Sequence, residues 1–137
     1  MTKINRILIA EDDKMIQSIL KEILAPYYQL TLANNGTEAI ELGQQEIPQL
    51  ILLDIMMPFK DGFDVCKEFR TDHRFDKTII VMLTALADEE SRNNGLRAGA
   101  DDFISKPFNP IELRRKVHLL FRLRQRLVSG SQSMDAL

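Results

Sequence analysis

The chain has 137 residues, and its 45% hydrophobic and 28% charged content is ordinary for a soluble globular protein. This length suits one domain with a core of its own. No segment approaches the roughly 18 consecutive apolar residues that cross a membrane, and residues 1–6 lack the apolar core of a signal peptide. The single cysteine, Cys66, excludes an internal disulfide and a cysteine-built metal site. We therefore expect a cytoplasmic protein.

Charge is unevenly distributed along the chain. The net charge is −2, but residues 111–137 carry six basic and two acidic residues, so the first 110 residues hold the acidic excess. This polarity predicts an acidic site in the body of the domain and a cationic last helix. A solvated basic face is the ordinary explanation for the arginines of that helix, and we do not expect this segment to bind nucleic acid.

Taken in order, the chain alternates short apolar runs with segments of helical period. The apolar runs predict five strands, at 6–10, 28–32, 50–53, 78–83 and 102–104. The intervening segments predict five helices, at 14–24, 37–45, 62–70, 88–98 and 110–128. Because the main strands lack polar alternation, both faces of their sheet must be covered. We therefore predict an α/β fold, a flavodoxin-like doubly wound five-stranded parallel sheet of order 2-1-3-4-5.

Polar side chains follow the predicted strands at their carboxyl ends, which share one edge of a parallel sheet. They are Glu11 and Asp12 after the first strand, Asp54 after the third, Thr84 after the fourth and Lys106 beyond the fifth. Each alone has a simpler explanation: the acids as helix caps or turn residues, Thr84 as a strand end, and Lys106 as a surface lysine. Their shared edge is where ligands bind in such folds, so together they predict a site.

The chemistry of these side chains points to phosphoryl groups. Three clustered carboxylates repel one another and need a cation, and an all-oxygen site open to water suits Mg²⁺ better than zinc. A lysine and a hydroxyl that face the carboxylates suit a phosphoryl group, whose oxygens carry the charge during transfer. We take Asp54 as the functional centre of this site.

Four sequence blocks together resemble the receiver domain of two-component response regulators. They are Glu11-Asp12, LLDIMMPFKDG around Asp54, VMLTA ending at Thr84-Ala85, and Ser105-Lys106-Pro107-Phe108. The match covers roughly residues 5–125, with all four blocks in order and at natural spacing. The resemblance implies that Asp54 accepts a phosphoryl group from a phosphohistidine, carried by a sensor kinase or a phosphotransfer protein. Such a protein catalyses its own phosphorylation and dephosphorylation and is not an enzyme in the usual sense.

The resemblance also implies a role for each neighbour of Asp54. Mg²⁺ would be held by Asp12, Asp54 and the backbone carbonyl of Met56, while Glu11 would act through water. The phosphoryl oxygens would meet Thr84, the backbone at the small Ala85, and Lys106, whose peptide bond to Pro107 would be cis.

The resemblance further assigns a switch to Thr84 and Phe103. Movement of Thr84 towards the phosphoryl group would vacate space that Phe103 fills. Because phenylalanine has no hydroxyl, this switch would act through packing alone. A plain core or surface aromatic remains the alternative for Phe103.

Two departures from the common family pattern bear on the lifetime of the signal. Glu11 stands where aspartate is usual, and its longer arm still reaches a metal-bound water. Met56 and Leu86, two residues beyond Asp54 and Thr84, are both apolar. Because neither side chain can orient a hydrolytic water, we predict slow self-dephosphorylation.

The last helix is longer than a receiver domain requires. We assign residues 1–128 to the receiver domain with this extended helix and residues 129–137 to a flexible tail. The extension has two interpretations: a homodimer through helix four, strand five and helix five, or a connector to an output domain after residue 128.

Two other functions compete with this prediction. A phosphatase of the haloacid dehalogenase type also uses an aspartyl nucleophile, but after its first strand and with a second Asp two residues on, where this chain has Met56. A degenerate receiver that acts as an interaction module without phosphorylation is the stronger alternative, although every residue needed for phosphorylation is present.

Overall fold

The structure, a computed structural model, describes residues 5–85 and 88–135, with side chains through residue 128. Leu86, one of the two residues behind the prediction of slow dephosphorylation, lies outside the described residues. The strands are β1 (Arg6–Ala10), β2 (Gln29–Ala33), β3 (Leu50–Asp54), β4 (Ile79–Thr84) and β5 (Asp102–Ser105). The helices are α1 (Lys14–Leu24), α2 (Gly36–Gln45), α3 (Gly62–Arg70), α4 (Glu89–Ala98) and α5 (Pro110–Asp135), with a 3₁₀ turn at His73–Phe75.

The five strands form one parallel sheet in the order β2-β1-β3-β4-β5, so the predicted fold class and strand order are confirmed. The central strand β3 pairs with β1 on one side and with β4 on the other, and all five of its residues are buried. Asp54 therefore lies at the carboxyl edge, at the end of a strand that is hydrogen-bonded to a neighbour on each side.

Alternate residues of β3 point into two separate hydrophobic cores, one on each face of the sheet. Ile51 and Leu53 belong to the first core, which contains residues of α2, α3 and α4. Leu50 and Leu52 belong to the second core, with residues of α1 and α5. This division explains why the strand has no polar alternation, because both of its faces are covered by helices.

The helices begin at the side chains that their sequences suggest. Asp13 caps α1 by accepting hydrogen bonds from the amides of Met15 (2.8 Å) and Ile16 (3.2 Å). Asn35 caps α2 by accepting a hydrogen bond from the Glu38 amide at 2.8 Å. At its other end α4 stops at Gly99, whose φ of +105° is the left-handed conformation that glycine adopts at low cost.

Helix α5 differs from the prediction at its end. It continues to Asp135, whereas the composition suggested an end near residue 128 and a flexible tail beyond it. Residues 129–135 contain no proline, so each backbone N–H can donate to the preceding turn and the helix can continue, although glycine and serine favour a helix less than alanine. Within the part of the chain that the structure describes, the helices are all too short or too polar to span a bilayer.

Candidate functional site

Three carboxylates meet at the carboxyl edge of the sheet. Asp54 is the last residue of β3, and Glu11 and Asp12 directly follow the neighbouring β1. One oxygen from each of the three lies within 4.8 Å of the others. Glu11 and Asp54 are only 1% and 4% exposed, whereas Asp12 is open to solvent. The cluster therefore combines two buried acids with one that water reaches.

Lys106, which directly follows the edge strand β5, also contacts this cluster. Its Nζ donates a hydrogen bond to Glu11 Oε2 at 2.9 Å and lies 3.2 Å from Asp54 Oδ1. The Lys106 backbone N–H donates to the Thr84 carbonyl at 2.8 Å, and the Lys106-Pro107 peptide is cis, as the family resemblance implies. One ammonium thus contacts both buried carboxylates.

Burial and charge shift the titration of these groups in opposite ways. Burial raises the pKa of Glu11 above its usual 4.5; the hydrogen bond from Lys106 works against this shift, and the charge of Asp54 adds to it. For Lys106, burial alone would lower the pKa, but the hydrogen bond to Glu11 and the charges of both acids outweigh it, so the pKa is raised. The lysine is therefore a cation at neutral pH and offsets part of the carboxylate charge.

The loop between β3 and α3 holds Asp54 from the other side. The Met56 amide donates to Asp54 Oδ1 at 3.2 Å, while the Met56 side chain is 67% exposed. The Gly62 amide donates a hydrogen bond to the Ile55 carbonyl at 2.9 Å. A Cβ on Gly62 would lie 2.5 Å from the Asp54 carbonyl oxygen, so this approach requires glycine. The sequence analysis missed this role, although the Asp61-Gly62 pair at the start of a helix was its signal.

Thr84 and Ala85 lie at the same edge, next to Asp54. The strand register pairs Asp54 with Leu83, so Thr84 is one position further along the adjacent strand. Thr84 is buried at 3% exposure, and Ala85, which follows it, is exposed. Thr84 thus ends the strand next to Asp54 at the carboxyl edge, directly before the small Ala85.

Phe103 lies further down β5 and contacts α4. Its ring is half-buried and packs against the first core. A Cβ on Gly95 of α4 would lie 2.7 Å from Phe103 Cε1, so the ring occupies the space that this glycine leaves. Lys116 of α5 donates to the Phe103 carbonyl at 2.9 Å. The residue pattern pointed to Phe103 but not to its partner Gly95, because spacing along the chain does not reveal a contact between elements.

The donor set of the cluster suits a magnesium ion. Mg²⁺ prefers hard oxygen ligands, takes one or two carboxylates from a protein and keeps several waters. The mutual distances of the Glu11, Asp12 and Asp54 oxygens and the exposure of Asp12 meet these needs. The three acids of the predicted metal site, Glu11, Asp12 and Asp54, are therefore together in space.

Fold and site first define a class, namely doubly wound α/β proteins with an acidic cluster at the carboxyl edge of the sheet. The sequence model described as "Response regulator receiver domain" matches residues 7–118. The chain therefore belongs to the response regulator receiver domain family of two-component systems, which confirms the resemblance of its four sequence blocks.

Individual relatives agree with this assignment. The probable transcriptional regulator ycf27 of Guillardia theta is 42% identical over 118 residues, which are 85% of this chain and 45% of that protein. The transcriptional regulatory protein CpxR of Escherichia coli K12 is 40% identical over 119 residues, 86% of this chain and 50% of CpxR. The chain thus spans about half the length of the curated relatives it matches. The solved structure of the Vibrio cholerae chemotaxis protein CheY4 has a TM-score of 0.83 at 28% identity and covers 86% of this chain and 99% of CheY4.

Proposed function

We propose that this receiver domain accepts a phosphoryl group on Asp54 from the phosphohistidine of a sensor kinase or phosphotransfer protein, with Mg²⁺ as cofactor. The observation that carries the proposal is the contact of a single ammonium, Lys106 Nζ, with two buried carboxylates, Glu11 and Asp54. A purely structural ion pair would need only one acid. The excess negative charge beside Asp12 favours a bound cation, and the fixed ammonium favours an incoming anion.

In the proposed transfer, an Asp54 carboxylate oxygen forms a bond to phosphorus as the phosphorus–nitrogen bond of the donor breaks. The imidazole nitrogen keeps the electron pair of the broken bond. Mg²⁺, held by Asp12, Asp54 and the Met56 carbonyl with Glu11 acting through water, would offset charge on the phosphoryl oxygens. The Met56 amide, which contacts one Asp54 oxygen, orients the carboxylate for attack with the other.

The product places new charge at the edge of the sheet, and we propose that the neighbouring residues respond to it. A phosphoryl group adds about −1.5 to −2 charge. Lys106 would exchange its contact with Asp54 for one with the phosphoryl oxygens, and the Thr84 hydroxyl and Ala85 amide would donate to them. Movement of Thr84 would open space for Phe103, and this change would reach the surface formed by α4, β5 and α5.

Incubation with acetyl phosphate and Mg²⁺, followed by intact mass measurement, tests this proposal. We expect a mass increase of one phosphate group that disappears in Asp54→Ala and persists in the control Asp64→Ala, an exposed acid of α3. An increase that survives Asp54→Ala would contradict the assignment. No increase in the parent chain would instead favour the interaction module that works without phosphorylation.

We also propose that the phosphorylated state is long-lived. The side chain of Met56 is exposed beside Asp54, and it is apolar. This side chain can neither orient a water that attacks the acyl phosphate nor accept its proton. Leu86, two residues beyond Thr84 in the sequence, is apolar as well.

The surface of α4, β5 and α5 is our proposed homodimer interface. Leu96 of α4 and Ile111 of α5 are 56% and 55% exposed, so apolar side chains are available for contact. The first turn of α4 is acidic, and α5 is rich in arginine, so two copies can complement each other in charge.

The relatives suggest an output beyond the receiver domain. Two of them are named as transcriptional regulators, and the chain covers about half of each. We propose that the receiver domain, residues 1–128, passes its signal through the extended α5 to an output domain, and that the protein acts in the cytoplasm. A free, buried Cys66 is in keeping with a reducing compartment.

A further inference from the structure

A strained turn lies in the loop between β3 and α3, five residues beyond Asp54. The backbone φ of Phe59 is +71°, and Phe59 is the non-glycine residue with positive φ within the described parts of the chain. The Lys60 amide donates to the Pro58 carbonyl at 2.8 Å, so Phe59 is the central residue of a γ-turn. A γ-turn with positive φ is rare and strained, and a bulky residue there is an outlier.

The Phe59 side chain does not offset this strain by packing against the fold. Its ring is fully exposed, at 103% of the reference area. The loop is nevertheless held in place, because the next residue, Lys60, pairs with Glu68 of α3 at 2.8 Å. Glycine or asparagine would fit this backbone better and would remove an apolar ring from water. Strain and apolar exposure at one residue indicate a contact that forms with a partner.

The position of Phe59 identifies the partner. A phosphohistidine donor must bring its phosphorus within bonding distance of Asp54, so the surface around its histidine must cover the exposed side chains at this edge. These include Met56 in the same loop, at 67% exposure, and Met15 in the first turn of α1, at 74%. A groove of about 310 Å³ beside Phe59 is lined by Glu38 and Glu41 of α2 and can take a basic side chain of the donor.

We propose that Phe59 is a contact residue for the protein that carries the phosphohistidine, and that it favours protein donors without taking part in the chemistry at Asp54. This inference rests on the proposed function, because it needs Asp54 as the acceptor. A donor as small as acetyl phosphate reaches Asp54 without touching Phe59. Transfer from a protein and transfer from a small molecule therefore depend differently on this ring.

Three variants separate the aromatic ring from the backbone strain. Phe59→Tyr keeps both, Phe59→Ala keeps the strained backbone without the ring, and Phe59→Gly removes both. Leu127→Ala, at a 74% exposed residue near the start of β4 at the opposite edge of the sheet, is the control for loss of apolar surface. The protein donor is the autophosphorylated cytoplasmic part of a sensor histidine kinase, chosen from purified kinases of the source organism as the one that labels the parent chain fastest.

We expect the rate of transfer from the kinase to fall about 5- to 10-fold in Phe59→Ala and Phe59→Gly, as for loss of an aromatic contact residue, and to be kept in Phe59→Tyr and Leu127→Ala. Labelling by acetyl phosphate should be the same in all of them. The melting midpoint should rise by about 2–4 °C in Phe59→Gly alone, because only glycine relieves the positive φ.

Equal transfer from the kinase to the parent chain and to Phe59→Ala would overturn the proposal. A change in acetyl phosphate labelling would overturn it as well, because Phe59 would then act on Asp54 itself. Labelling of the parent chain by acetyl phosphate and by none of the kinases would also overturn the proposal, because there would be no protein donor for Phe59 to contact. Failure of acetyl phosphate to label the parent chain would instead contradict the proposed function.

Discussion

At the scale of single residues, the buried charges of the site do not favour the stability of the folded protein. Two carboxylates, Glu11 and Asp54, are buried and share one ammonium, that of Lys106. Burying charges costs free energy that a single ion pair seldom recovers in full. Such an arrangement at one edge of a well-packed sheet is expected where a cation and a phosphoryl group bind.

Replacement of Met56 by a polar residue is expected to shorten the lifetime of the phosphorylated protein. In Met56→Asn, the amide can orient a water beside the acyl phosphate, and we expect phosphate loss about 5- to 10-fold faster. Met56→Leu, which stays apolar, is the matched control and should match the parent. The measurement is the decay of the phosphorylated mass after removal of the donor.

Leu86→Glu tests the same hypothesis at the second apolar position. If the sequence-based prediction for Leu86 is right, a carboxylate at this position accepts a proton from the water, so faster decay is expected again. If neither Met56→Asn nor Leu86→Glu lost phosphate faster than the parent, apolar flanks would not explain a long lifetime.

At the scale of elements, the contact between α4 and β5 is the one that we propose responds to phosphorylation of Asp54. Phe103 of β5 packs its ring into the space left by Gly95 of α4. Glycine weakens a helix interior, and α4 is also the element that follows Thr84 along the chain. We propose that α4, which has this glycine in its interior where it meets Phe103, is the element that shifts.

The substitution Gly95→Ala is expected to stabilise the protein in one background and not in the other. Alanine favours the helix by about 1 kcal/mol, but its Cβ would collide with the Phe103 ring. In the parent chain we therefore expect a neutral or lower free energy of unfolding. In a Phe103→Ala background the collision is gone, and Gly95→Ala should stabilise by about 1 kcal/mol. Urea unfolding of the four chains measures this coupling, and equal effects in both backgrounds would show that the two residues are independent.

An aromatic cluster around His118 joins helix α5 to the segment between α1 and β2. The hydroxyl of Tyr28, which precedes β2, is hydrogen-bonded to His118 Nδ1, and the Tyr28 ring stacks on Phe121 with centroids 4.8 Å apart. Burial, followed by the charges of Arg114 and Arg122, lowers the pKa of His118 below 6.5. The folded state therefore favours the neutral imidazole.

Stability should consequently fall as the pH falls through this range. Because the pKa of His118 is lower in the folded state, the unfolded chain binds the proton first below about pH 6.5, and protonation favours unfolding. We expect the melting midpoint of the parent to decrease more from about pH 7 to about pH 5 than that of His118→Gln, whose amide does not titrate. Parallel midpoints for both chains over this range would contradict the prediction.

At the scale of the whole molecule, helices α4 and α5 expose the apolar residues Leu96 and Ile111, and they carry acidic and basic side chains respectively. If this surface pairs two copies, phosphorylation should strengthen the pair. We expect sedimentation of the protein with Mg²⁺ and beryllofluoride, the activating group used with the DrrB receiver domain, to show more dimer than without it. In Leu96→Ser we expect a Kd for self-association about tenfold weaker, whereas Ile19→Ser on α1 serves as the control and should not change it. An equal loss in both variants would place the interface elsewhere.

Much of this molecule follows from the sequence alone. Unbroken apolar runs such as 50–53 predicted a covered parallel sheet, because a strand without polar alternation must be buried on both faces. The same reasoning predicted the edge at which Glu11, Asp54 and Lys106 meet, since the carboxyl ends of parallel strands share it. The helix predicted at 88–98 ends directly before Gly99, and the structure ends α4 at the same residue.

Tertiary structure alone decided the contacts between elements that lie far apart in the chain. Lys106 Nζ reaches Glu11 across 95 positions of sequence, Gly62 closes on the Asp54 carbonyl, and Phe103 fills the space beside Gly95. The positive φ of Phe59 and the continuation of α5 to Asp135 were equally invisible in the residue pattern. Residue periodicity records which face of an element is buried, whereas distances between side chains depend on how the elements pack, and that packing is set by the whole chain at once.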